Sequence, residues 1–74
     1  MGVLIFMTFR CIITKEKSKY FVGKDYNGHK FRIVKNRNIN CKVGDDFYFY
    51  ANLKEGLFFN TLIPISSKEA GVID

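Results

Sequence analysis

Short runs of alternating side chains, each ended by turn-forming residues, constrain the fold of this chain more than any other feature. The first run, residues 8–14, places Phe9, Cys11 and Ile13 on one face of an extended segment and Arg10 on the other. A period of two is that of a β-strand, and no alanine-rich or leucine-rich stretch favours a helix. The chain is also rich in aromatic and β-branched residues, which favour pleated sheets. We therefore predict an all-β fold.

Four further runs complete the set of predicted strands. Asn27-Gly28 separates the second from the third, and this pair suits the two positive φ angles of a type I′ turn. In the fourth run, Phe47 and Phe49 alternate with tyrosines, and burying the phenylalanines leaves the hydroxyl groups in water. The five predicted strands span residues 8–14, 20–24, 30–35, 46–51 and 57–63.

The last predicted strand has two alternative phases. In one alternative, Leu57, Phe59 and Thr61 face the interior. In the other, Phe58 and Leu62 face it. Both alternatives satisfy a period of two.

The order of the strands indicates an architecture. Seventy-four residues suffice for one domain, and five short strands avoid exposed edges by closing into a barrel. Three meandering strands, a polar connection over residues 36–42 and a closing hairpin follow the plan of the OB fold. We predict a five-stranded OB-like small barrel over residues 8–65. An apolar extension or extra strand precedes it at residues 1–7, and a C-terminal tail follows at residues 66–74.

The segment that leads into the fourth predicted strand resembles a known family. Residues 41–49 read CKVGDDFYF, and the closing hairpin ends in Asn-Thr-Leu at residues 60–62. This pattern resembles the Lys-Val-Gly-Asp segment before the fourth strand in RNA-binding OB barrels of the ribosomal protein S-one type. Residues 20–22 occupy the position of the aromatic on the second strand of such barrels. The resemblance covers residues 8–65 and implies RNA binding.

Basic residues concentrate in one part of the chain. The net charge is +5, and residues 17–37 carry seven of the twelve lysines and arginines. OB barrels bind single strands largely on strands two and three, where aromatics stack on bases and cations contact phosphates. We predict that Phe21 points outward on the second strand and that Lys30 and Arg32 do so on the third. The predicted ligand is single-stranded RNA or DNA, with RNA favoured. The predicted binding residues are Phe21, Lys24, Tyr26, His29, Lys30, Arg32, Lys35, Arg37 and Tyr48.

Other functions remain open as alternatives. The cations of this region also suit a merely solvated face. A protein-binding adaptor or inhibitor, of the kind found in phages and mobile elements, is the second hypothesis. It rests on the outward aromatics Tyr48, Tyr50 and Phe58, because aromatic residues are enriched at protein interfaces. A homodimer through the apolar segment Val3–Phe6 is the third.

The sequence lacks the patterns expected of an enzyme, a metal site or a cofactor site. Cys11 and Cys41 are thirty positions apart with no C-x-x-C pair, and we expect both thiols to be reduced and buried. His29 follows a glycine in a predicted turn, where histidines are usually solvated. No nucleophile has an identifiable base, and no phosphate-binding loop is present. We predict a non-catalytic binding protein with no cofactor.

The first seven residues are apolar but do not indicate export. They lack a positively charged start and a small-residue cleavage site, and they are too few to span a bilayer. We therefore expect a cytoplasmic protein with no membrane partner.

Overall fold

A computed structural model of the chain describes residues 7–71, which form five β-strands. This described part contains no helix, and therefore none that is long and apolar enough to cross a membrane. The predicted all-β class is confirmed. The strands are β1 (Met7–Glu16), β2 (Tyr20–Lys24), β3 (Lys30–Val34), β4 (Asp46–Lys54) and β5 (Asn60–Pro64).

The five strands form a closed barrel in the order β1-β2-β3-β5-β4, and β4 pairs back onto β1. Only the β3–β5 pair is parallel within the described residues, because the chain crosses from β3 to β4 before it returns through β5. This arrangement confirms the predicted five-stranded OB-like barrel. Closure pairs both edges of every strand, so no edge strand is left exposed in the barrel.

Strand β1 serves two neighbours. Its residues 7–12 pair with β4, and residues 12–16 pair with β2. The register with β2 shifts between Ile13 and Lys15, which marks a β-bulge. Bulges bend a strand and increase its twist, so this irregularity helps β1 to curve from one side of the barrel to the other.

The barrel interior is apolar, as the alternation predicts. In β1, β3 and β4, the residues that face the interior are those that the alternating pattern predicts to be buried. Burial also raises the pKa of the Cys11 thiol to about 11, so this cysteine is a packing residue at neutral pH. The central cluster consists of Cys11, Ile13, Phe21, Phe31, Ile33, Phe49, Ala51 and Leu62.

The predicted outward orientation of Phe21 is wrong, because its side chain lies in this core. Phe21 shares its face of β2 with Gly23, which has no side chain, so the sequence shows little apolar periodicity there. A Cβ atom at Gly23 would lie only 2.8 Å from Cδ1 of Ile33 and 3.1 Å from Cβ of Cys11. The glycine therefore allows the neighbouring strands to pack closely, and this packing fixes Phe21 inside.

The last strand begins later than predicted. β5 starts at Asn60 rather than Leu57, and β4 continues to Lys54. Neither phase holds in full: Leu62 is buried, with Pro64 on the same face, but Phe58, expected to face inward with it, lies outside the strand and is exposed. The register pairs Lys54 with Thr61, so residues 55–59 form the β4–β5 loop.

The Lys42–Asp45 segment of the family resemblance forms a tight turn. The backbone N–H of Asp45 donates to the carbonyl of Lys42 at 3.0 Å, and the Asp45 carboxylate accepts from the Lys42 N–H at 2.9 Å. Gly44 has a φ of 98°, a conformation that favours glycine. Its N–H donates to the carbonyl of Ile13 at 2.8 Å. The motif therefore directs β4 alongside β1.

The two ends of the chain differ in how much the structure describes. The predicted N-terminal extension and the dimer contact at Val3–Phe6 lie outside the described residues. In the C-terminal tail, the Ser66 Oγ accepts from the N–H of Glu69 at 3.0 Å and lies 3.3 Å from its carboxylate. Together with the hydrogen bond from the N–H of Ala70 to the carbonyl of Ser66 at 3.0 Å, these contacts form a turn in which Ala70 is buried.

Candidate nucleic-acid interface

The outward side of β2 and β3 is cationic. We call it the β2–β3 face and define it by Tyr20, Val22, Lys24, Lys30 and Arg32. Lys24 lies directly opposite Lys30 in the register, and Val22 lies opposite Arg32. Like charges directly opposite each other are destabilising, so the lysine pair is better accommodated when an anion lies over it. The predicted outward orientation of Lys30 and Arg32 is confirmed.

Arg32 lies against two aromatic rings. Its guanidinium carbon lies 3.9 Å from the ring centroid of Phe59 and 4.9 Å from that of Tyr20. Among residues 7–71, no carboxylate forms an ion pair with this guanidinium. A stacked guanidinium keeps its N–H groups at its edge, where they can donate to a phosphate. The positive charge of Arg32 thus lies next to two aromatic rings.

The β4–β5 loop carries large apolar side chains into solvent. Leu57 is 97% exposed, Phe58 88% and Phe59 51%. The loop is tightly folded, since a Cβ at Gly56 would lie 2.6 Å from the carbonyl oxygen of Phe59. Lys30 borders the loop, and the two line a shallow cavity of about 370 Å³. The loop therefore extends the β2–β3 face.

The loop is absent from the surface predicted from the sequence, because residues 57–59 were assigned to a strand. The sequence does contain one indication that these residues are not all buried. Three consecutive large apolar residues cannot all face the interior of a strand with a period of two, so at least one had to be exposed.

Tyr26 and Tyr48 do not join the β2–β3 face; they lie around Arg10, which projects from β1. The Arg10 guanidinium carbon is 4.5 Å from the Tyr26 ring centroid and 5.5 Å from that of Tyr48. Its Nε and Nη2 donate to the two carboxylate oxygens of Asp46 at 3.0 and 2.9 Å. We call Arg10, Tyr26, Tyr48 and Asp46 the Arg10 cluster. The paired hydrogen bonds raise the pKa of Arg10 and lower the pKa of Asp46.

His29 belongs to the loop between β2 and β3. The Asp25 carboxylate accepts from the backbone N–H groups of Asn27 and His29 at 2.9 Å, and it lies 3.2 Å from Nδ1 of His29. Partial desolvation raises the pKa of Asp25, but the hydrogen bonds from His29 and Asn27 outweigh it and lower the pKa. Here His29 supports the loop.

The expected type I′ turn is wrong. Only Gly28 of the Asn27-Gly28 pair has a positive φ, at 82°. The N–H of Gly28 donates to the carbonyl of Asp25 at 3.1 Å, which closes a four-residue turn. Asp at the first position and Gly at the last are preferences of type I turns, so the Asp25 side chain decided the loop geometry.

Lys35 and Arg37 do not belong to the β2–β3 face. The Lys35 ammonium pairs with the Glu16 carboxylate at 2.7 Å and lies 4.9 Å from the ring centroid of the buried Phe21. Arg37 is exposed on the connection between β3 and β4. The structure therefore brings together Lys24, Lys30 and Arg32 from the predicted set.

No protein family, curated protein or solved structure matches this chain. In the part of the chain that the structure describes, no three side chains cluster as ligands for a metal ion.

Proposed function

We propose that this protein binds single-stranded nucleic acid, with RNA favoured, through the β2–β3 face and the β4–β5 loop. This is the mode of the RNA-binding OB barrels of the S-one type that the sequence resembles. One observation supports the proposal: the guanidinium of Arg32, which forms no ion pair among residues 7–71, lies against the rings of both Phe59 and Tyr20. Strands two and three and the β4–β5 loop are where OB barrels bind oligonucleotides.

The chemistry of this surface matches both parts of a nucleotide. Phe58 and Phe59 offer exposed ring surface, and each stacked base contributes about 1–3 kcal/mol. Lys24, Lys30 and Arg32 supply three positive charges for phosphates. Stacking on a side chain requires a base that is free of its own duplex, so this arrangement favours single strands.

Anisotropy of a labelled, unstructured oligonucleotide of about twelve nucleotides, a length within OB-fold site sizes, tests the proposal. Three phosphate contacts predict that log K falls with log salt at a slope of about −2. Lys30→Ala should reduce that slope by about 0.7, whereas Lys68→Ala, which removes a cation from the C-terminal turn, should leave it unchanged. Absence of binding by the intact protein at low salt would overturn the proposal.

The exposed β4–β5 loop also supports a second candidate, the protein-binding adaptor. Leu57 and Phe58 are almost fully exposed, contiguous exposed apolar surface marks interaction sites, and aromatic residues such as phenylalanine are enriched at protein interfaces. Under this hypothesis a nuclease-treated lysate retains a partner on the intact protein, a Phe58→Ser variant loses it, and oligonucleotides do not compete. A partner that is released by nuclease or displaced by oligonucleotide excludes this candidate.

A further inference from the structure

We infer that the Arg10 cluster is a second subsite, which takes one base of the same strand beyond the β2–β3 face. The inference rests on the proposed function and extends it across the barrel to β1. A cavity of about 180 Å³ lies beside this cluster. Its lining residues are Arg10, Ile12, Lys24, Asp25, Tyr26 and Asp46.

Lys24 connects the two surfaces. Its side chain lines the cavity of the Arg10 cluster, and in the register it lies opposite both Lys30 on β3 and Ile12 on β1. The sugar-phosphate backbone of a strand that contacts Lys24 and Lys30 on the β2–β3 face therefore passes next to the opening of this cavity. Ile12, which is half exposed, adds an apolar wall.

Tyr26 provides a stacking platform that is held in place. The Arg10 guanidinium lies over its ring at 4.5 Å, yet the residue is 77% exposed, so much of the ring remains open to solvent. Arg10 is itself fixed by two charge-assisted hydrogen bonds to Asp46. The ring centroid of Tyr48, which is 65% exposed, lies 5.5 Å from the same guanidinium carbon. Ordered rings cost less entropy when a base stacks on them.

The charge of the cavity favours a base over a phosphate. Its volume equals about six water molecules in the liquid, which leaves room for one planar ring. A second cavity of about 330 Å³, which Tyr48 lines, shares Arg10 and Tyr26 with it. Asp46 compensates the charge of Arg10, and Asp25 adds a second carboxylate to the lining. Phosphate is therefore disfavoured inside, and the adjacent Lys24 is the group that contacts it.

The span between the β4–β5 loop and the Arg10 cluster sets a minimum length of ligand. From β5 through β3 and β2 to β1 there are three strand intervals, or about 14 Å across the sheet. A stacked strand advances about 3.4 Å per nucleotide, so about four nucleotides separate the loop from the Arg10 cluster. Oligonucleotides shorter than this engage only one of them.

Affinity measured over a series of oligothymidylates of about three to twelve nucleotides tests the inference. The intact protein should gain affinity once both sites are spanned. The variant Tyr26→Ala/Tyr48→Ala should lose about tenfold for long ligands, which corresponds to one stacked base, and should bind the shortest ligands as the intact protein does. Its salt slope should not change, because no phosphate contact is removed. Tyr26→Phe should keep the long-ligand affinity.

Control variants separate the possible failures. Phe58→Ala should weaken long and short ligands alike, and Val43→Ala, an exposed apolar residue on the β3–β4 connection, should weaken neither. If the double tyrosine variant binds long ligands as tightly as the intact protein while Phe58→Ala does not, the second subsite is excluded and the proposed function stands. If the intact protein binds no ligand of any length, both fail. Equal thermal unfolding midpoints verify that the variants are folded.

Discussion

Phe21 and Phe58 show how burial decides what a phenylalanine does in this protein. The first packs inside the barrel against the central cluster, and the second projects from the β4–β5 loop into solvent. A buried ring contributes to stability through the area that it removes from water. An exposed ring contributes little to stability and leaves its surface free for a ligand.

Replacing each of these rings should therefore separate stability from binding. Phe21→Ala should lower the free energy of unfolding by about 3–5 kcal/mol, because it leaves a cavity in the core. Phe58→Ala should change it by no more than about 0.5 kcal/mol. Urea denaturation of the two variants measures both effects, and similar losses in the two would contradict the assignment of Phe58 to the surface.

At the level of elements, the packing of β2 between β1 and β3 depends on Gly23. The space that a side chain would need at this position is occupied by Ile33 from β3 and Cys11 from β1. A glycine in a strand lowers stability through its flexibility, but here it permits the close approach of three strands.

Gly23→Ala should destabilise the barrel by about 1–3 kcal/mol through overpacking. Ile33→Val removes the Cδ1 atom that an alanine Cβ at position 23 would contact, and by itself it should lower the free energy of unfolding by about 0.5–1.5 kcal/mol. The double variant should be less destabilised than the sum of the two single variants, because the valine relieves the contact. Chemical denaturation of all four proteins measures this coupling, and strict additivity would exclude the contact as the cause.

On the scale of the whole molecule, the Arg10–Asp46 ion pair joins β1 to β4, the two strands whose pairing closes the barrel. The hydrogen bonds from Arg10 lower the pKa of Asp46 in the folded state. A carboxyl whose pKa is lower when folded stabilises the fold above its unfolded pKa of about 4. That contribution is lost as the pH falls through the folded pKa.

The pH dependence of stability should therefore change when this carboxylate is removed. Asp46→Asn should lower the unfolding midpoint at neutral pH, and its difference from the intact protein should shrink below about pH 4 as Asp46 becomes protonated. Glu55→Gln removes an exposed carboxylate that joins no ion pair among residues 7–71, and it serves as the control. Thermal unfolding followed by circular dichroism across this range gives the comparison. A constant difference at all pH values would contradict the assignment.

The sequence by itself determined the class of fold and part of the candidate surface. Alternation placed Cys11 and Ile33 inside and Arg32 outside, because a period of two is a local property of each strand. The five runs and the long third connection were sufficient to predict the barrel. The cations on β2 and β3 followed from the same alternation.

Only the tertiary structure decided the features that depend on contacts between strands. The register of β4 with β5 left Phe58 in a loop, and close packing at Gly23 turned Phe21 inward. The path of the β2–β3 loop carried Tyr26 to Arg10 and away from Arg32. These placements follow from pairing register and side-chain packing between segments distant in sequence, which the pattern along a single strand does not encode.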